Sequence, residues 1–367
     1  MKRVLILGAG HAQVDAINYC KNSGFEVVGC SYTTIEKGIK LLDYFENIDI
    51  KDVEAVTELA LKYNVNLIYS VGSDVAMPTI MKVSEKLGLP HFVSSEITEI
   101  CVNKALMREQ LGIGFPGNVS FEIYSSLDEA IQHDRFPAMM KPIDSQGQRG
   151  CYKIENTEDI IRYFDSSVAH SIAGKVIIED YARGQEVSVN AYLQGGVIKF
   201  MYISDRHAYK DYPGGIVKSH VMPSALSKEK IETIESVTEK VVSRMGIENG
   251  PCYIQMKVPE NGDPTIIELS PRLDGCHIWK LIKYCYGTDL LDISFKDLLG
   301  ASSATPVNAN RQVEKHTLEF ISKEPHGTFH KNEYELGKPL ELVYYYEDGE
   351  RVCKTNGFFE KCGYVIR

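Results

Sequence analysis

The sequence predicts two kinds of architecture in series: an open, doubly wound parallel α/β sheet, then a longer α+β region rich in strands. Three observations carry this. Short apolar runs alternate with helical stretches up to residue 93, the pattern of right-handed β-α-β units. Beyond residue 100, strand-like runs follow one another with few helices between them. The 367 residues, 44% hydrophobic and 25% charged, suffice for two to three domains with full cores.

Val4–Leu7 reads as the first strand, ending in Gly8-Ala9-Gly10 and a helix closed by Gly24. Glu26–Cys30 reads as the second strand, Asp52–Tyr63 as a helix and Leu67–Val71 as a further strand. Met77–Leu87 reads as a helix and His91–Val93 as one more short strand. In the second region, Phe136–Pro142, Lys175–Ile178, Glu186–Tyr192 and Val197–Ile203 read as strands. Two helices stand out, near Asn103–Leu111 and Lys228–Met245. In the latter, Ile231, Ile234, Val237, Val241 and Met245 recur at helical spacing and belong to a core. Ala301–Asn310, small and polar, reads as a connector, and the rest as a small strand-rich region. The expected division is 1–98, 99–300 and 301–367.

Composition excludes several functions. Acidic residues outnumber basic ones, 50 to 40, for a net charge of -10. A nucleic-acid binder would carry a basic face, so none is expected. The nine cysteines show no C-x-x-C spacing, which fits a reduced cytoplasmic setting. The opening apolar run is too short for a signal sequence, and no stretch approaches the ~20 apolar residues of a membrane span.

Gly8-Ala9-Gly10 has the context of a dinucleotide fingerprint, but Gln13 stands at its third small position and no acid ends the second strand. A tight strand-to-helix turn explains the glycines better, and the helix start at Gly10 could hold a substrate anion. Asp74 follows a strand at the sheet edge where ligands bind, or caps a helix.

The stronger signals lie further on. Lys141 ends a short apolar strand and Ser145–Gly150 follows almost at once, a loop whose glycines could turn backbone N–H groups onto an anion. Next comes Ile177–Val189, where a strand edge could read an adenine and Glu186 could accept from ribose hydroxyls. The clearest signal is Cys252–Val258, a turn over Pro259–Pro264, and Thr265–Arg272. Pairing 258 with 265 sets Gln255 opposite Glu268, with Cβ atoms about 5 Å apart. Period two places Glu268, Ser270 and Arg272 on one face. Oxygen ligands on one rigid face suit Mg2+, and a terminal guanidinium suits a transferring phosphoryl group.

This ordered set resembles the ATP-grasp superfamily, particularly carboxylate–amine ligases related to biotin carboxylase, carbamoyl-phosphate synthase and the ATPase subunit of phosphoribosylaminoimidazole carboxylase. The resemblance spans about residues 1–300. It implies a Rossmann-like pre-ATP-grasp domain, a two-subdomain ATP-grasp fold with its lid subdomain near 135–180, and a C-terminal strand-rich region. It implies ATP and two Mg2+ ions, with Mn2+ as a substitute. Lys104 and Lys141 correspond to phosphate lysines, and Ser145, Gln146, Gly147 and Gly150 to the lid loop. Glu179, Asp180 and Ala182 correspond to the adenine linker, Glu186 to the ribose carboxylate, Gln255, Glu268 and Ser270 to metal ligands, and Arg272 with Lys141 to the phosphoryl-transfer site. Ser270 stands where the family's Glu-x-Asn has asparagine.

The implied activity joins a small-molecule carboxylate to an amine through an acyl phosphate, releasing ADP and phosphate. Candidate substrate residues are Gly10, Asp74, Arg206, His207, Asp274 and His277, with His220 and Trp279 nearby in sequence. A homodimer is left open. Competing readings are a bicarbonate-activating carboxylase, an NAD-dependent oxidoreductase using the first glycine turn, and a non-catalytic ATP-binding protein.

Overall fold

The computed structural model describes residues 2–145, 149–209, 215–301, 313–354 and 359–367. Its first unit contains β1 (Arg3–Leu7), α1 (His11–Asn22), β2 (Glu26–Cys30), β3 (Tyr44–Glu46), α2 (Val53–Lys62), β4 (Leu67–Tyr69) and α3 (Met77–Leu87). The strands form a parallel sheet in the order β3-β2-β1-β4, as the alternation predicts. Residues 4–7 of β1 are fully buried, which is why it reads as an unbroken apolar run.

His91–Val93 is not a strand. Ser94 immediately caps α4 (Ser95–Val102), its hydroxyl accepting from the Ile97 amide, so the chain turns helical before it can pair. Asn103 then ends α4 and caps α5 (Lys104–Leu111), accepting from the Ala105 and Leu106 amides. This back-to-back arrangement places Lys104 at the first residue of a helix.

The second unit contains β5 (Phe121–Tyr124), α6 (Leu127–Ala130), β6 (Ala138–Pro142), β7 (Tyr152–Ile154), α7 (Thr157–Val168) and β8 (Val176–Asp180). Its antiparallel sheet runs β5-β8-β6-β7. Ile160 and Phe164 of α7 pack on Met140, Ile154 and Ile178.

The third unit contains β9 (Gln185–Gln194), β10 (Val197–Ala208), β11 (Val217–Met222), α8 (Lys228–Arg244), β12 (Gly250–Val258) and β13 (Thr265–Ser270). It continues through α9 (Ile278–Tyr286), α10 (Leu290–Leu298), β14 (His316–Lys323), β15 (Glu341–Tyr344) and β16 (Glu360–Ile366). One eight-stranded sheet results, in the order β13-β12-β9-β10-β11-β14-β16-β15. The C-terminal strands are thus hydrogen-bonded into the central sheet. The expected connector falls largely on residues 302–312, outside the described residues.

The expectation of few helices after residue 100 is corrected by α6, α7, α9 and α10. In α9, Ile, Trp, Tyr and Cys dominate, residues whose preference for strands masks a helical period. No helix among the described residues is long and apolar enough to cross a membrane.

The N-terminal sheet is held against the rest by shared core. Phe295 of α10 stacks on Tyr19 at 4.7 Å and meets Tyr69 at 4.6 Å between ring centroids. Gly72, at φ +65°, lies so close to Gly275 that an added Cβ would sit 2.6 Å from its Cα. Only glycine fits there. Gly72→Ala should therefore lower unfolding free energy by about 1–3 kcal/mol, through left-handed strain and displaced backbone. Urea denaturation measures this, and an unchanged midpoint would mean that the two loops part readily.

Candidate functional site

The predicted cross-strand pair is present: Gln255 lies opposite Glu268. The path to it differs from the expected one. Lys257, not Val258, pairs with Thr265, and a bulge between Gln255 and Met256 leaves Ile267 as the extra residue. The bulge reverses the alternation, so Ile267 and Glu268 both reach the same cavity. Glu268 forms no ion pair or hydrogen bond among the described residues.

The expected common face does not hold at Ser270. Its hydroxyl donates to Asp74 at 2.7 Å, and it is absent from the cavity lining. Asp74 also takes a fork of two bonds from Arg272, one at 2.5 Å from Nε. Burial alone would raise the Asp74 carboxyl, but Arg272 outweighs it and holds it low. Asp74 is therefore a positioning group behind Arg272. It is no helix cap, because Ser73 accepts from the Ala76 amide instead.

The cavity, of about 360 Å³, opens between the second and third units. Lys104, Lys141, Ser145, Glu179, Asp180, Ala182, Glu186, Arg206, Gln255, Glu268, Arg272 and Asp274 all line it. Lys104 Nζ donates to the Ser145 carbonyl at 2.6 Å, tying the start of α5 to the predicted anion loop. Lys141 Nζ pairs with Glu179 at 2.5 Å, and Arg108 Nε donates to the other oxygen of Glu179 at 2.9 Å. Burial would raise the Glu179 carboxyl, but Arg108 and then Lys141 bring it down to about 2. The side chain expected to read adenine thus anchors two cations. Asp180, its neighbour, pairs with Arg135 at 3.2 Å.

Glu186 receives Arg206 in a short contact, Lys257 at 3.3 Å and the Gln255 amide at 3.2 Å. Lys257 is its register partner across β9 and β12, which explains the approach. A carboxylate so surrounded is ordered and ready to accept hydroxyl donors. Arg206 is correspondingly neutralised, so the free guanidinium expected for a substrate carboxylate is not found.

Several predicted residues lie elsewhere. His207 alternates to the exposed face beside Arg206. His277 is buried at φ +57°, bonded to Asp15 at 3.0 Å and the Tyr345 hydroxyl at 2.7 Å, so it latches α1 to the β15 segment. Trp279 is core. Gly10 caps α1, but the adjoining Ala9 amide donates to Glu36 at 2.9 Å, so the protein's own carboxylate meets that turn. Gly150 lies outside the lining, its carbonyl accepting from Ser167 at 2.8 Å. Gln146 and Gly147 fall outside the described residues. Sequence reasoning missed Arg108, Lys257, Cys276 and Lys361, which also line the cavity. Arg108 stands one turn after Lys104, and Lys257 two residues after Gln255, so periodicity could have found both. Lys361 carries no sequence signal.

The donor set fits a divalent cation at Glu268, with Gln255 beside it. An unpaired carboxylate on a cavity wall lacks countercharge, and hard oxygen ligands suit Mg2+. Ser270 does not fit, since it is absent from the cavity lining and its hydroxyl is turned to Asp74.

The buried triad generates a prediction. Glu179→Gln leaves Arg108 and Lys141 uncompensated and should cost about 3–5 kcal/mol at neutral pH. Because the folded carboxyl titrates near 2 rather than 4.5, its contribution is complete above about pH 4.5 and fades as pH falls toward 2. Denaturation curves should show the gap between the two proteins narrowing from pH 5 to pH 3. A constant gap would place the stabilisation outside this charge.

Comparison with known proteins agrees with the geometry. Residues 134–279 match the ATP-grasp domain family. The uncharacterized protein y4rH of Sinorhizobium fredii is 22% identical over 304 residues, covering 78% of this chain but 61% of that protein's length. Formate-dependent phosphoribosylglycinamide formyltransferase of Methanocaldococcus jannaschii is 22% identical over 392 positions, covering 100% of this chain and 96% of the relative. The structure of L-amino acid ligase from Bacillus licheniformis superposes with a TM-score of 0.83 at 16% identity, covering 100% of this chain and 93% of that one. Fold, cavity and family match converge: this chain carries an ATP-grasp domain.

Proposed function

We propose that the chain is an ATP-dependent ligase that joins a carboxylate to an amine through an acyl phosphate, releasing ADP and phosphate. One observation supports this above all. A single cavity gathers Lys104, Lys141, and Glu268 with Arg272 from three separated stretches of a chain whose relatives include a ligase. A carboxylate is a poor acyl donor because oxide would have to leave; phosphorylation turns the leaving group into phosphate.

In this reading Lys104 and Lys141 meet phosphate oxygens, and Glu186 accepts from the ribose. Arg272, aimed by Asp74, neutralises charge on the transferring phosphoryl group. Glu268 and Gln255 would hold Mg2+, which when bound offsets phosphate charge. Ser145, which lines the cavity and holds Lys104 through its carbonyl, stands at the edge of the phosphate position. The glycine turn of β1 takes no part in nucleotide binding.

Three outcomes test this. MgATP, but not NAD(H), should raise the melting temperature, since a ligand at a hundredfold excess over Kd adds about 2.7 kcal/mol. The reverse pattern would overturn the assignment. Glu268→Ala should abolish ATP turnover while the protein stays folded, because its carboxylate has no partner to lose. Lys141→Ala should do the same at some cost in stability, since Glu179 loses a cation. Near-normal turnover in Glu268→Ala would mean the metal position is misassigned. With hydroxylamine in place of the amine, a hydroxamate and ADP should form, and Arg272→Ala should suppress both by about 10²–10³-fold. AMP and pyrophosphate would instead indicate an acyl adenylate.

A further inference from the structure

The loop after β13 carries two side chains of the cavity wall that the nucleotide and Mg2+ assignments leave unused, Asp274 and Cys276. The chain folds them together. The Asp274 carboxylate accepts the Cys276 amide at 2.8 Å and, through its other oxygen, the Ile278 amide at 3.0 Å. Gly275 between them packs on Gly72, which pins this backbone to the N-terminal unit.

His220 of β11 reaches the same place from another element. It does not line the cavity, yet one of its ring nitrogens, an Asp274 oxygen and the Cys276 sulfur all lie within 4.8 Å of one another. The ring is 1% exposed. Its Nδ1 lies 3.3 Å from the Ser204 hydroxyl, while Nε2 has no hydrogen-bond partner among the described residues. A buried polar atom without a partner is unusual. A serine hydroxyl accepts as readily as it donates, so an Nδ1–H can bond to Ser204 and leave the Nε2 lone pair for a ligand. Metal-bound imidazoles are held in this way, by an oxygen at their second nitrogen.

An imidazole, a carboxylate and a thiolate are donors for Zn2+ rather than Mg2+, because sulfur selects a softer cation. A tetrahedral Zn2+ site sets sulfur and nitrogen ligands about 3.5 Å apart, so these groups need to close by only about 1 Å. The charges also balance, two positive against one carboxylate and one thiolate. Arg206 nearby is already paired with Glu186. Lys361 Nζ lies 3.5 Å from the Cys276 sulfur and donates to it, an arrangement that favours the thiolate. Each Asp274 oxygen keeps a second lone pair beyond the amide that it accepts. Three protein ligands leave a fourth position open to the cavity that Asp274 and Cys276 line.

We infer that His220, Asp274 and Cys276 form a binding site for a thiophilic divalent cation of the Zn2+ class, separate from the Mg2+ position at Glu268. The inference stands independently of the ligase reading. Untagged, reduced protein stripped of metal with a chelator would be titrated with Co2+, a spectroscopic substitute for Zn2+. A sulfur-to-cobalt charge-transfer band should appear, saturate at a single Co2+ per chain, disappear on adding Zn2+ and survive excess Mg2+. Cys276→Ser should abolish the band. His220→Gln and Asp274→Asn should weaken Co2+ binding tenfold or more, with circular dichroism confirming that each variant is folded. Cys151→Ser and Cys353→Ser, which alter the other two thiols that are not buried, should leave the band intact. No band in the wild-type protein, a band that survives Cys276→Ser, or its loss to Mg2+ would each overturn the site. The wild-type spectrum decides the matter even where a variant fails to fold.

Discussion

The buried carboxylate of Glu179 is the constraint on which the site depends. A charge with 2% of its surface exposed must be compensated, and Arg108 and Lys141 do so from two directions. Arg108 is itself fully buried, and its remaining donors reach the Ile266 carbonyl of β13 at 2.7 Å and Asn118 at 3.2 Å. One guanidinium therefore ties α5, β8 and β13 together, joining the small sheet to the large one. The cavity lies where these elements meet. The same network presents Lys141 to the cavity with little rotational freedom, so stability and function share their atoms.

A second group of charges has the same logic. Asp74, from the N-terminal unit, grips Arg272 after the end of β13, and Gly72 packs beside it on Gly275. The N-terminal sheet thus contributes no lining residue, yet it aims one. On the opposite wall Glu186 gathers Arg206, Lys257 and Gln255. Arg108, Lys141, Arg206, Lys257 and Arg272 are each placed by an acid, Lys104 is placed by the Ser145 carbonyl, and the Glu268 carboxylate has no ion pair among the described residues. That contrast between paired and unpaired charge is the physical basis for assigning a cation to Glu268.

Much of this was legible in the sequence. The Rossmann-like sheet followed from its apolar alternation, and the pairing of Gln255 with Glu268 followed from the length of the turn. The bulge at Ile267 was not legible, because a six-residue turn is compatible with either register path. Glu179 was placed in the cavity but given the wrong partners, since Arg108 lies 71 residues away and only the fold brings it near. Arg206 and His207 were indistinguishable as candidates, because alternation says that one is buried without saying which. Gly10 and His277 misled for a common reason: glycine turns and histidines carry chemistry and scaffolding in the same residue types. Lys361 was invisible because its significance comes from sheet order, with β16 beside β14 rather than beyond the domain.

The central claim, that this cavity activates a carboxylate by phosphoryl transfer, is tested most directly by isotope transfer. An acid that supports ATP turnover, labelled with 18O in its carboxylate, would be incubated with enzyme, MgATP and amine. An acyl phosphate passes one carboxylate oxygen to the released phosphate, so mass spectrometry should find singly labelled inorganic phosphate in proportion to product. Unlabelled phosphate, with the label appearing in AMP or remaining in the product and water, would contradict the account.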